Sequence, residues 1–237
     1  MQSAGMAVQR ELYRSGRLTT KGGHKRVASQ PKSGMVPLQL DGRNNNGWVY
    51  IPKGYNAHTP ARLAIMLHGS GGNAEQGLSL LQRHADESNI ILVEPASKQY
   101  TWDVIASDAF GADVILIDQA LAWALEQFAI DAAHIAIGGF SDGASYALSL
   151  GLGNGDLFTH IIAFSPGFYY TIQPVGKPNV FISHGVNDGV LPINVCSRRL
   201  VPRLQNSGIL VQYHEFNGGH EIPAPISKAA IRWFTAG

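Results

Sequence analysis

Residues 135–143 read IAIGGFSDG, an apolar run that leads into a glycine-rich turn. A helical stretch near 143–151 comes next, so Gly139, Ser141 and Gly143 form a G-x-S-x-G pattern between a strand and a helix. Such a sharp turn holds a serine hydroxyl exposed, and the glycines let strand and helix approach without a clash. Ser141 is therefore a candidate nucleophile. Because the chain contains 27 glycines, a glycine-rich helix start explains the motif equally well when it is taken alone.

The sequence on either side of this turn alternates between two periodicities. Short apolar runs typical of strands lie at 47–51, 63–67, 90–93, 135–137, 161–164, 180–183 and 210–213. Helical stretches lie at 73–85, 114–128, 143–151, 192–206 and 225–235, the first beginning with Asn73 and Gln76 in the pattern of a capping box. This alternation predicts an α/β fold, a mostly parallel sheet with helices on both faces.

Ligands of such sheets bind where the strands end, so the residues just beyond each strand are the candidates for a site. Asp188 lies beyond the strand at 180–183, and His220 lies beyond the strand at 210–213. Together with Ser141 they give the chain order Ser, Asp, His that is typical of a hydrolase triad on this fold. Asp156 and Glu94 are other candidate acids, in weaker positions.

The strand at 63–67 ends in the turn His68-Gly69-Ser70-Gly71-Gly72. A turn of this kind supplies one backbone donor for a developing oxyanion, and the residue after the nucleophile supplies the other. We therefore expect the amides of Ser70 and Asp142 to form an oxyanion hole. His68 is interpreted as a structural residue and not as a second base.

The same turn has a second interpretation. Residues 69–74 also fit G-x-G-x-x-A, and Glu94 ends the next strand about 20 residues later, as in a dinucleotide-binding fingerprint. This alternative leaves Ser141, Asp188 and His220 unexplained. It also requires the motif on the first strand, whereas the run at 47–51 precedes it.

Four segments carry a resemblance to a known family: LHGSGG (67–72), GGFSDGAS (138–145), ISHGVNDGVLPI (182–193) and FNGGHEIP (216–223). With them the chain resembles an α/β-hydrolase of the phospholipase/carboxylesterase group, which includes acyl-protein thioesterases. Polyhydroxyalkanoate-depolymerase-like and feruloyl-esterase-like enzymes are neighbours of that group. The resemblance covers residues 63–223.

The resemblance implies Ser141 as nucleophile, His220 as base and then acid, and Asp188 as the residue that orients His220. It also implies that Trp102 and Phe168 bind substrate, Trp102 as a pocket wall and Phe168 with its neighbours Tyr169 and Tyr170 at the mouth. Two alternatives remain open. In the first, Trp102 is an ordinary packed residue, and in the second, Phe168, Tyr169 and Tyr170 cover the edge of the sheet. The 165–179 segment is too short for a helical cap, so we expect little or no cap domain.

Composition and sequence motifs limit the other classes of function that this chain can have. The formal charge of +1 offers no general field for nucleic acid, and no apolar run is long enough to span a membrane. Cys196 is the only cysteine, which excludes an internal disulfide and a cysteine-based metal cluster. No H-E-x-x-H motif is present, and we expect no metal and no cofactor. The N-terminus lacks a signal-peptide core, so we expect a cytoplasmic protein.

Charge is unevenly distributed along the chain. Residues 1–35 carry seven basic side chains and one acid, a charge of +6, and residues 36–237 carry −5. We expect a basic N-terminal extension over 1–35 and a catalytic domain over 36–237. The extension is either a docking tail or targeting peptide or, as we favour, a solvated or loosely packed segment.

The sequence therefore predicts a serine carboxylesterase that hydrolyses a small-molecule ester through a Ser-His-Asp triad, an acyl-enzyme and an open site. Thioesterase, lysophospholipase or polyester-hydrolase activity on the same triad is an alternative. A non-catalytic ligand-binding protein of the same fold and an NAD(P)-binding oxidoreductase are alternatives of other classes. The natural substrate and the oligomeric state are left open.

Overall fold

The computed structural model describes residues 2–22, 31–40 and 46–236. Its strands form one eight-stranded sheet in the order β1-β2-β4-β3-β5-β6-β7-β8. The strands are β1 (Gly34–Pro37), β2 (Gly47–Ile51), β3 (Ala61–Leu67), β4 (Ile90–Pro95), β5 (Ile130–Phe140), β6 (His160–Phe164), β7 (Asn179–Gly185) and β8 (Val211–Phe216). Strand β2 is antiparallel to both of its neighbours, and β3 to β8 pair in parallel. The loops that come after β3, β5, β7 and β8 therefore meet at one edge of the sheet.

Eight helices connect and cover the strands in the described ranges. They are α1 (Gln2–Arg14), α2 (Ala74–Ser79), α3 (Gln82–Ser88), α4 (Asp103–Ser107), α5 (Ala112–Gln127), α6 (Asp142–Gly153), α7 (Ser197–Asn206) and α8 (Ala224–Thr235). Strand β3 illustrates how the two faces are buried. Leu63 and Ile65 belong to the apolar cluster that includes residues of α5, α6 and α7, whereas Ala64 and Met66 belong to the cluster with α2, α3 and α8. This alternation follows from the two-residue period of a strand covered on both faces.

The predicted α/β architecture is confirmed, with differences in detail. All seven predicted strands are present, and Asn73 caps α2 in a capping box with Gln76. The predicted helix at 73–85 is two short helices, α2 and α3. Strand β1 and helices α1 and α4 were not predicted, because short segments of mixed polarity give no clear period.

The N-terminal segment differs from the expected solvated extension. Tyr13 and Leu18 are buried in the main apolar cluster, and Arg17 forms a two-pronged ion pair with Asp156 at 2.9 Å. The expected boundary at residue 35 falls inside β1, which pairs with β2. We refer to residues 13–22 as the N-terminal strap. The basic residues Lys25 and Arg26 lie outside the described residues.

The segment between β6 and β7 contains no helix, which agrees with the expected absence of a large cap. In the described ranges, no helix has the length and apolarity required to cross a bilayer.

Candidate active site

Ser141 occupies the turn between β5 and α6 in a strained backbone conformation. Its φ is +57° and its ψ is −120°, a region that a residue with a Cβ adopts only when the surrounding structure imposes it. Glycine is required on both sides. A Cβ at Gly139 would lie 2.5 Å from the backbone of Gly143, and one at Gly143 would lie 2.2 Å from the Leu67 carbonyl oxygen. The G-x-S-x-G spacing thus allows β3, β5 and α6 to meet at the serine.

His220 joins Ser141 to Asp188. Its Nε2 lies 2.9 Å from Ser141 Oγ, and its Nδ1 lies 2.6 Å from Asp188 Oδ2. The serine and the histidine are half-buried, and the aspartate is buried. Three residues separated by up to 79 positions in the chain therefore form one hydrogen-bonded line, in the order a triad requires.

The environment of Asp188 favours its charged form. Burial alone would raise the pKa of this carboxyl, but hydrogen bonds from His220 and from the amides of Leu191 and Val190 outweigh that effect. The net result is a pKa below the usual value. Asp188 therefore faces His220 as a carboxylate, the form that orients an imidazole and stabilises its positive charge.

The predicted oxyanion turn lies beside the serine. We call the turn at residues 139–143, which holds Ser141, the elbow. A Cβ built on Gly69 would be 3.5 Å from the Cβ of Ser141, so the 68–72 turn is in contact with the elbow. Within the described residues, neither the Ser70 amide nor the Asp142 amide donates to a protein acceptor. Both amides are thus available as donors, and their role as an oxyanion hole stays a prediction.

The loop after β4 holds both of these turns. Thr101 Oγ1 donates a 2.7 Å bond to Asp142 Oδ2, and the Tyr100 carbonyl accepts the Gly71 amide at 2.8 Å. Trp102 Nε1 donates to the His68 carbonyl at 2.9 Å. The prediction that Trp102 binds substrate is therefore wrong in this structure, because its ring is fully buried between His68 and Tyr146 and has no surface to offer a ligand.

His68 and Glu94 have structural roles behind the turn. His68 Nδ1 lies 2.8 Å from the Gly69 carbonyl and Nε2 accepts from the Ser97 amide at 3.3 Å, which fixes a neutral tautomer. Burial also lowers the pKa of His68. Glu94 is fully buried and accepts the His68 amide at 3.0 Å, so it cannot bind a ribose as the dinucleotide interpretation requires.

Two cavities lie among the loops that follow the parallel strands. The first, about 410 Å³, lies between α4 and the segment after β6 and is lined by Val104, Ile105, Asp108, Phe168, Tyr169 and Tyr170; we call it the aromatic groove. The second, about 360 Å³, adjoins the oxyanion turn and includes Ser70, Leu80 and Phe140. Phe168 lies in the aromatic groove with 37% of its surface exposed, and its role in substrate binding stays a prediction.

Comparison with known proteins identifies the family. The model of the phospholipase/carboxylesterase family matches residues 107–233, which is more than half of the chain and contains Ser141, Asp188 and His220. The chain belongs to the phospholipase/carboxylesterase family. This confirms the expected family and its α/β-hydrolase fold.

Individual relatives of this phospholipase/carboxylesterase family member are esterases. A probable feruloyl esterase C of Aspergillus niger is 27% identical over 179 residues, which are 70% of this chain and 65% of that protein. The match therefore spans less than two thirds of that relative's length. The crystal structure of esterase PE8 superposes with a TM-score of 0.62 at 24% identity, covering 85% of this chain and 96% of that one. The Bacillus cereus carboxylesterase gives a TM-score of 0.59 at 21% identity, covering 78% and 92%.

Two contributors to the site were not predicted from the sequence. Thr101 directly precedes Trp102 in a loop without a motif, yet its hydroxyl reaches the first residue of α6. His184 lies within ISHGVNDGVLPI, where only Asp188 received a role, and it contacts that aspartate. The sequence signal that could have identified His184 is that it is a polar residue at the end of a buried strand.

Proposed function

We propose that this protein hydrolyses carboxylic esters through a covalent acyl-enzyme on Ser141. The observation that carries the proposal is the position of His220, within hydrogen-bond distance of both the Ser141 hydroxyl and the Asp188 carboxylate. Membership of the phospholipase/carboxylesterase family supports the same chemistry.

In the proposed mechanism, His220 removes the proton of Ser141 as Oγ attacks the ester carbonyl. The new Oγ–C bond converts the carbonyl oxygen to an oxyanion, which the Ser70 and Asp142 amides bind. His220 then gives its proton to the departing alkoxide, and the C–O bond of the ester breaks. Water, deprotonated by His220, attacks the acyl-enzyme, and the acid leaves as Ser141 regains its proton. Asp188 orients the His220 ring throughout.

The aromatic groove supports a preference for esters with a planar aromatic group. The segment after β6 that lines the groove is anchored along α6, because Ser145 Oγ accepts the Gly167 amide and Ser149 Oγ accepts the Tyr170 amide, each at 2.9 Å. Ser145 lies one helical turn beyond Ser141 and Ser149 lies two, so the segment that lines the groove runs along the first turns of α6. Exposed Phe168 and Tyr170 offer faces on which a ring can stack. The Aspergillus niger relative is named a probable feruloyl esterase, which is consistent with this preference.

A rate series tests the proposal. The esters are p-nitrophenyl acetate, butyrate, octanoate and palmitate, with methyl ferulate and methyl octanoate as a matched pair. We expect turnover of the short esters and a higher kcat/KM for methyl ferulate than for methyl octanoate. Ser141→Ala is expected to lose several orders of magnitude in kcat, whereas Ser207→Ala, at an exposed serine, retains wild-type activity.

Each outcome bears on a different part of the proposal. A preference for the palmitate ester would indicate lipid-like substrates and not aryl esters. Faster hydrolysis of an acyl thioester than of the corresponding ester would favour a thioesterase. Absence of turnover in the wild type would favour a ligand-binding protein and contradict the proposed function.

A further inference from the structure

A second histidine lies beyond Asp188, on the side away from the serine. His184, at the end of β7, lies with Nε2 3.2 Å from Asp188 Oδ2 and 2.8 Å from the Leu191 carbonyl. Its Nδ1 lies 2.7 Å from the hydroxyl of Ser197, the first residue of α7. The side chains of His184 and Asp188 are fully buried, and so is Ser197.

The direction of each hydrogen bond at His184 follows from its acceptors. A carbonyl oxygen can only accept, so His184 Nε2 carries a proton that it donates to Leu191, 3.2 Å from Asp188 Oδ2. Burial lowers the pKa of His184 and keeps its ring neutral. Nδ1 therefore has a free lone pair, and the Ser197 hydroxyl donates to it.

Asp188 Oδ2 is therefore hydrogen-bonded to His220 at 2.6 Å, and the N–H group of His184 lies 3.2 Å from the same oxygen. We propose that His184, held in one tautomer by Ser197, is a positioning residue that tunes how strongly Asp188 stabilises the charged ring of His220. The positive end of an N–H dipole 3.2 Å from this oxygen offsets part of its negative charge, which weakens the stabilisation that Asp188 gives to the charged ring of His220. The inference rests on the proposed function only in assigning His220 as the base.

The cluster around His184 is closed to solvent. The polar atoms of His184 and Ser197 lie where water is excluded, and each hydrogen bond satisfies a group whose burial would otherwise be unfavourable. Other titratable groups act on this cluster from two sides. Glu215, in register with His184 on β8, is ion-paired with Arg198. Burial, with a smaller contribution from Asp188, raises the pKa of the Cys196 thiol. Neither Glu215 nor Cys196 makes a hydrogen bond to Oδ2.

Two substitutions at position 184 separate positioning from packing. In His184→Gln the side-chain amide can place a donor where Nε2 was, and in His184→Asn the amide reaches only the position of Nδ1. We expect the acidic limb of the pH profile of kcat/KM to move to higher pH by about half a unit in His184→Asn, a loss of about threefold at the acidic end. His184→Gln is expected to keep the wild-type limb.

A readout that does not need turnover keeps the inference distinct from the proposed function. Ring ¹⁵N NMR of histidine-labelled protein reports the titration midpoint of His220 directly. We expect a higher midpoint in His184→Asn and, because Ser197 fixes the tautomer, a smaller shift in the same direction in Ser197→Ala. Circular dichroism identifies the variants that fold. If His184→Asn does not fold, the midpoint of Ser197→Ala is compared with that of the wild type instead.

Midpoints that agree within about 0.2 pH unit among the folded variants would overturn the inference. A His184 ring with its proton on Nδ1 would overturn it as well. An inactive wild type with shifted midpoints would contradict the proposed function and leave the role of His184 supported.

Discussion

Glu94 Oε1 accepts the His68 amide at 3.0 Å, which ties the end of β4 to the turn that presents the Ser70 amide. Glu94 is fully buried, and its Oε2 has no hydrogen-bond partner among the described residues. Burial raises the pKa of this carboxyl well above its usual value, an effect that the His68 amide only partly offsets. Burial therefore favours the neutral acid at this position, and Oε2 packs against Gly77, where a Cβ would lie 2.0 Å from it.

A neutral acid can be replaced by its amide. We expect Glu94→Gln to change the free energy of unfolding by less than about 1 kcal/mol and to retain activity, since the amide oxygen accepts the His68 amide as before. Glu94→Ala leaves that amide unsatisfied above a cavity, and we expect a loss of about 2–4 kcal/mol. Urea denaturation measures both. A Gln variant as unstable as the Ala variant would show that Glu94 is needed as a carboxylate.

The bond from Thr101 to Asp142 makes a prediction about catalysis. Thr101→Val removes the 2.7 Å bond to Asp142 Oδ2 with little change in volume. Because the Asp142 amide is a proposed oxyanion donor, we expect kcat to fall about 3–10-fold with little change in KM. Thr171→Val, on the loop after β6, is the control. A rise in KM at constant kcat would instead assign Thr101 to substrate binding.

Asp118 anchors the N-terminal strap. Its carboxylate accepts the Tyr13 hydroxyl at 2.8 Å, the Thr19 hydroxyl at 2.6 Å and the Thr20 amide at 2.9 Å. Burial would raise the pKa of Asp118, but these donors outweigh it and lower the pKa. The stabilisation is therefore present above the unfolded pKa, near 3.8, and is lost as the pH falls through the lower folded pKa.

Removal of this anchor is expected to free the strap. We expect Asp118→Ala to lose about 2–4 kcal/mol of stability and to be cleaved by trypsin after Arg17 and Lys21 at least about tenfold faster than wild type. Glu87→Ala, at an exposed acid on α3, serves as the control. Equal cleavage rates in the wild type and Asp118→Ala would mean that the strap is not held by this carboxylate.

The burial of His160 leads us to expect that the stability of the protein depends on pH. Burial, reinforced by the neighbouring His134, lowers its pKa from 6.5 to about 4. Between these values the unfolded chain binds a proton that the folded chain does not, so stability falls as the pH falls through this window. We expect wild type to lose roughly 1–2 kcal/mol more than His160→Phe between pH 7 and 4.5. Denaturation at several pH values measures this, with His58→Phe as an exposed control. Parallel pH profiles for wild type and His160→Phe would contradict the prediction.

The sequence predicted those parts of the molecule that depend on local pattern. Ser141, Asp188 and His220 each come after a strand with a clear apolar run, and parallel strands bring such positions to one edge. The distances among them could not be predicted, because they depend on how the loops after β7 and β8 fold.

The errors concern side-chain direction and long-range contacts. Nothing in the sequence distinguishes a Trp102 that packs under the oxyanion turn from one that lines a pocket. The N-terminal strap is polar and basic, and its burial depends on Asp118 and Asp156, more than 90 residues away. For such a segment, the local charge pattern by itself predicts exposure to solvent.

Active-site labelling tests the central claim most directly. The folded protein is treated with a fluorophosphonate, and the modified peptide is located by mass spectrometry in wild type, Ser141→Ala and His220→Ala. We predict one adduct, on Ser141 in wild type, none in Ser141→Ala and a strongly reduced rate in His220→Ala. An adduct on another residue, or equal labelling of wild type and Ser141→Ala, would contradict the assignment of Ser141 as the nucleophile.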